Sequence, residues 1–149
     1  MSDLTIGSIV DACLRARPTG TAATLGSKKW TFADLDAAAN SCAYALRARG
    51  VGRGDVVAWR ADPSLSTLSG FLACARLGAI FAPLNPALTA AETAGLLAYL
   101  GSRLVTGGDL DGAPGARLEL SVDDRSPHIV YLTSGSTGRP KGVLVSHRA

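Results

Sequence analysis

Aromatic residues are scarce in this sequence, at 5%, so Ala, Leu and Val must supply most of any core. Cations are thinly spread as well. The net charge is only +3, and Arg15, Arg17, Lys28, Lys29, Arg47, Arg49 and Arg53 form no block and have few aromatics between them. A nucleic-acid footprint needs a denser basic patch, so no nucleic-acid partner is expected. The three cysteines, Cys13, Cys42 and Cys74, are too few and odd in number for a disulfide framework. None has a Cys or His at metal-ligand spacing, so no metal centre is expected, and each sits in an Ala/Leu-rich helical pattern as a small buried hydrophobe. The amino terminus lacks the basic-then-apolar layout of a signal peptide. The longest apolar stretch, Leu65 to Leu84, is interrupted by Arg76 and by Ser and Gly. It reads as a buried helix plus strand rather than a membrane span. These absences point to the reducing cytoplasm.

What remains is a well-buried chain. Its 149 residues are 47% hydrophobic and 18% charged, which excludes disorder and fits one domain. Along it, strand-like and helix-like stretches alternate. Ser8 is predicted to cap a first helix ending near Arg17. Thr21 to Leu25 and Lys28 to Thr31, joined by Gly26-Ser27, read as a tight hairpin. Thr31-Phe32-Ala33-Asp34 resembles a capping box and opens a helix that Gly50 stops. Val56 to Trp59 reads as a buried strand, Leu65 to Leu77 as a helix stopped by Gly78, and Ala79 to Pro83 as a second strand. Thr89 to Glu92 is a capping box for a helix running to Leu100, and Arg103 to Val105 is a third strand. Gly107 to Gly115 is expected to be a surface loop, Leu118 to Val122 an edge strand, and His128 the exposed start of a further strand. The alternation predicts an α/β fold of βα units with a mostly parallel sheet.

The densest chemical signal lies at Thr133-Ser134-Gly135-Ser136-Thr137-Gly138-Arg139-Pro140-Lys141-Gly142, between two apolar runs. Glycines leave backbone N–H groups unshielded, hydroxyls add donors, and one ammonium adds charge, which are the parts of a phosphate site. It is not a Walker loop, because Pro140 precedes Lys141 and Gly142 follows it. Val143 to Val145 continue as an extended run, so the loop is expected to join two strands, with Ser146-His147 capping a helix that starts at Arg148. The plainer alternative is a Gly/Ser/Thr hairpin with one solvated lysine. Agreement of ten residues in type and order with one known signature favours the binding loop.

That segment resembles the AMP-binding signature of the adenylate-forming enzymes, the superfamily of acyl- and aryl-CoA ligases, peptide-synthetase adenylation domains and luciferases. Trp30 to Leu35 with Gly50 to Val57, and Leu77 to Pro86, resemble two upstream core regions of the same superfamily in the same order. Leu84-Asn85-Pro86 is more like acyl-CoA ligases, whereas peptide-synthetase domains favour Leu-Asp-Pro.

The resemblance implies that residues 1–149 are the amino-terminal portion of the large domain, ending just after the phosphate loop. It implies a carboxylic acid activated by ATP as an acyl-adenylate and passed to a thiol such as coenzyme A, in fatty acid metabolism. Thr133, Ser134, Gly135, Ser136, Thr137, Gly138 and Lys141 would hold the ATP phosphates, with Arg139 solvated. Mg2+ would be bound through those phosphates and through residues beyond this chain. The acyl pocket and the catalytic lysine also lie in the missing carboxy-terminal remainder, so no complete catalytic set is expected here. Such a fragment would be catalytically incomplete alone and would leave strand edges and apolar faces exposed. Two alternatives stay open: a non-catalytic nucleotide- or pyrophosphate-binding fragment, and an inactive structural remnant.

Overall fold

The computed structural model describes residues 4–102, 104–108, 110, 112, 115–118, 122–134 and 140–148. Helix α1 (Ile6–Ala16) begins at Thr5, whose hydroxyl accepts from the Ser8 amide at 3.1 Å while the Ser8 hydroxyl receives the Thr5 N–H at 2.9 Å. Ser8 is therefore the third residue of the helix, closing a capping box, rather than the cap itself, as the sequence reading had it. Strands β1 (Thr21–Leu25) and β2 (Lys28–Thr31) form the expected antiparallel hairpin as a separate two-stranded sheet. Helix α2 (Phe32–Ala48) opens on the reciprocal Thr31–Asp34 box. Strand β3 (Val56–Arg60), helix α3 (Leu65–Leu77) and strand β4 (Ile80–Leu84) follow. Helix α4 (Ala90–Leu100), strand β5 (Leu104–Thr106), and strands β6 (Pro127–Ser134) and β7 (Pro140–Ser146) complete the order. Gly78 and Gly101 take the left-handed conformation that ends α3 and α4.

The main sheet has the order β5-β3-β4-β6-β7, parallel except for the antiparallel β6–β7 pair. This is the mostly parallel α/β arrangement that the alternation predicts. A rung of paired residues, Val57, Phe81, Ile129 and Val145, crosses four strands and packs against Cys42, Ala43 and Leu46 of α2 and Ala73, Cys74 and Leu77 of α3. Cys42 and Cys74 are buried in that core as expected, whereas Cys13 is only partly buried. Burial pushes the Cys74 thiol well above its usual range, which fits a packing role.

Leu118 and Val122 lie outside any strand, and residues 119–121 are outside the described set. Described parts of the 107–115 segment and its continuation are held on α2: Ser41 exchanges hydrogen bonds with Gly112, and Tyr44 donates to the Ala116 carbonyl at 2.8 Å. Arg117 pairs with Asp11 and Asp36, and the buried Arg76 pairs with Asp36 as well, joining α1, α2, α3 and the segment that carries Arg117. Finally, Ser146 ends β7 and His147 lies in a turn. His147 is buried at 4% exposure, and the helix expected from Arg148 would lie beyond the described residues.

Candidate functional site

Strand β6 ends at Thr133-Ser134 and β7 begins at Pro140-Lys141, with Thr133 opposite Lys141 and Ser134 opposite Pro140. The signature segment is thus flanked by two paired strands, as the sequence reading anticipates. Gly135, Ser136, Thr137, Gly138 and Arg139 lie outside the described residues. The Thr133 hydroxyl donates to the Lys141 carbonyl at 3.3 Å. The Thr133 and Lys141 side chains are exposed at this end of the hairpin, so Lys141 is accessible to an anion.

Sheet topology gives this end its significance. From β3 the chain passes through α3 to β4, then through α4 to β5 on the other side of β3. Strand order therefore reverses around β3 and β4, and in open α/β sheets ligands bind outside the carboxyl ends of strands at such a point. A crevice of about 400 Å³ opens there. Its walls are Ala61 to Ser64 after β3, Thr67, Leu68 and Phe71 of α3, Phe81 and Pro83 of β4, and Ile129 and Tyr131 of β6. Strand β6 ends with Ser134 at the same carboxyl edge.

The opposite end of the hairpin is fixed by packing that the sequence did not reveal. The register of β6 against β7 shifts between Pro127 and Ile129, making His128 the extra residue of a bulge. The bulge turns its ring into the core, where it is 2% exposed rather than on the surface. A chain of rings results: Trp59 to Phe81 at 5.9 Å, Phe81 to Phe71 at 5.6 Å, Phe71 to His128 at 4.4 Å and His128 stacked on His147 at 4.5 Å. The Ile6 N–H donates to His147 Nδ1 at 3.4 Å, joining α1 to the hairpin base. Burial, and secondarily His147, pushes His128 down to about 4, and burial lowers His147 too. Both imidazoles are neutral at pH 7 and serve packing.

Among the described residues, no group of three or more His, Cys, Asp or Glu side chains could hold a metal ion, and no helix is long and apolar enough to cross a membrane. The described side-chain donors at the signature end are the Thr133 hydroxyl and the Lys141 ammonium, and an ammonium suits an anion rather than a cation.

The family model described as AMP-binding enzyme matches residues 10–120, a span that stops short of β6. A probable non-canonical nonribosomal peptide synthetase, CymA of Salinispora arenicola, is 36% identical over 97% of this chain, which covers 2% of its length. A feruloyl-CoA synthase of an Amycolatopsis species is 32% identical over 89% of this chain, which covers 31% of its length. The inhibitor-bound N-terminal domain of FACL13 from Mycobacterium tuberculosis superposes with a TM-score of 0.85 at 26% identity, covering 96% of this chain and 44% of that one. The chain thus spans less than half the length of each of these relatives.

Proposed function

We propose, from the premise that this chain belongs to the AMP-binding enzyme family, that residues 1–149 are the amino-terminal portion of the large domain of an adenylate-forming ligase. In this reading Thr133, Ser134, Gly135, Ser136, Thr137, Gly138 and Lys141 hold the phosphates of ATP. The observation that carries it is the placement of Thr133 and Lys141 as a cross-strand pair at the carboxyl edge of the sheet, flanking the glycine-rich segment. The reaction is attack by a carboxylate oxygen on the α-phosphorus, with the bond to the bridging oxygen breaking and pyrophosphate leaving. Negative charge grows on that leaving group, where preorganised donors and a fixed cation are most effective. Lys141 supplies the charge and Thr133 sets the strand that bears it. Mg2+ would accompany the phosphates, with its protein ligands drawn from outside this chain.

The acyl-adenylate then passes to a thiol. Coenzyme A is the acceptor we favour, from Leu84-Asn85-Pro86 at the end of β4. A carrier-protein thiol is the second reading, favoured by the 36% identity to CymA.

Titration of the chain with pyrophosphate tests the phosphate reading. Lys141→Ala is expected to weaken binding about tenfold or more, the effect of losing one charge-assisted hydrogen bond. Equal affinities would overturn the role of Lys141, and absence of saturable binding in both would leave a structural remnant. ATP–pyrophosphate exchange, with and without the downstream polypeptide, separates a ligase portion from a fragment that only binds.

A further inference from the structure

We propose that Tyr99 is a positioning residue for the phosphate segment, acting through the peptide unit that follows Lys141. The inference rests on the phosphate reading above. Gly142 lies on β7, the edge strand of the main sheet, and its N–H donates to the Tyr99 hydroxyl at 3.1 Å. The carbonyl of the same peptide unit belongs to Lys141 and receives the Thr133 hydroxyl at 3.3 Å. One peptide plane is therefore held at both ends, from β6 on one side and from α4 on the other. Fixing that plane fixes the backbone torsion on the carboxyl side of Lys141, and with it the direction in which the lysine stem leaves the strand.

Two further observations favour a specific tie over a chance contact. A Cβ placed on Gly142 would lie 3.2 Å from Val130 Cγ2 and 3.7 Å from Tyr99 Cε1, so the ring is seated close against this glycine. Helix α4 carries no buried residue, and Tyr99 itself is 55% exposed. Apolar burial is thus a weak reason for the ring to lie there, which leaves the hydroxyl's hydrogen bond as the main one.

The test is a double-mutant cycle on pyrophosphate affinity, using the chain, Tyr99→Phe, Lys141→Ala and the double variant. Tyr99→Phe keeps the ring and is expected to weaken binding about fivefold, the effect of one neutral hydrogen bond. In the Lys141→Ala background the same change is expected to have no effect, a non-additivity that a merely structural role would not produce. Hydrogen exchange at the Gly142 amide is expected to quicken in Tyr99→Phe. If Lys141→Ala weakens binding and Tyr99→Phe does not, the inference is overturned while the phosphate reading stands. Equal losses in both backgrounds, or an unchanged Gly142 exchange rate, also overturn it. If the unaltered chain binds no pyrophosphate, the phosphate reading fails first and takes the inference with it.

Discussion

Gly70→Ala is expected to destabilise the chain by about 2 kcal/mol, lowering the thermal midpoint by roughly 4–8 °C. Gly70 lies inside α3, where glycine ordinarily costs up to about 1 kcal/mol relative to alanine. The reason for it is across the interface. A Cβ at this position would sit 2.5, 2.6 and 2.7 Å from three carbons of the Trp59 ring. Trp59 is fully buried on β3, and its Nε1 has no hydrogen-bond partner among the described residues, so close packing holds the ring. Its neighbour Phe81, 5.9 Å away centroid to centroid, leads on to Phe71 and the histidines. The ring cannot retreat without disturbing that chain, and strain of this kind typically exceeds the helix-propensity gain. Gly95→Ala in α4 is the matched control. A Cβ there meets nothing within 4 Å, so that variant is expected to be neutral or slightly stabilising. Thermal unfolding followed by circular dichroism compares the two, and similar shifts in both would sink the packing argument.

The contrast between these two glycines shows where the sequence was legible. Features set by neighbouring residues were readable: the Thr31–Asp34 and Thr89–Glu92 boxes, the stops at Gly78 and Gly101, and the Gly26-Ser27 hairpin all depend on chemistry within a few positions. Even there, two hydroxyls three residues apart could exchange roles, as Thr5 and Ser8 did. Contacts between distant elements were not readable. Nothing local to Gly70 announces Trp59, and nothing local to Gly142 announces Tyr99. His128 shows a third kind of failure. Alternation along β6 assigns its side chain to one face, and a one-residue bulge moves it to the other, a change that depends on the register of β7. For the candidate site, the two strands flanking the signature segment were legible from the apolar runs on either side, whereas the pairing of Thr133 with Lys141 depends on the register between them and was not. The tie that fixes the Lys141 peptide was not, because it comes from a helix 43 residues away.

The buried histidine pair gives the chain a pH dependence of definite sign. Above about pH 6.5 His128 is neutral in both folded and unfolded chains, and its contribution is fully present. Below that value the unfolded chain takes up a proton that the folded chain refuses until about pH 4. The unfolded state then binds more protons, so stability falls as pH falls. The full difference is about 3 kcal/mol for His128, and His147, also lowered by burial, adds in the same direction. The carboxylates held below their ordinary range, Asp34, Glu92 and Asp123, lose their contributions only below about pH 5. The interval from pH 6.5 to 5 therefore belongs to the histidines. Urea midpoints measured across it are expected to drop steadily for the unaltered chain and far less for His128→Leu, which removes the titration but keeps an apolar side chain against Phe71. Parallel pH profiles for the two proteins would show that His128 is not the group responsible. Because the pair sits at the base of the β6–β7 hairpin and His147 also holds the start of α1, its protonation should loosen those two elements first. Faster amide exchange at Ile6 and Ile129 than in the β3–β4 pair at pH 5 would report that order of events.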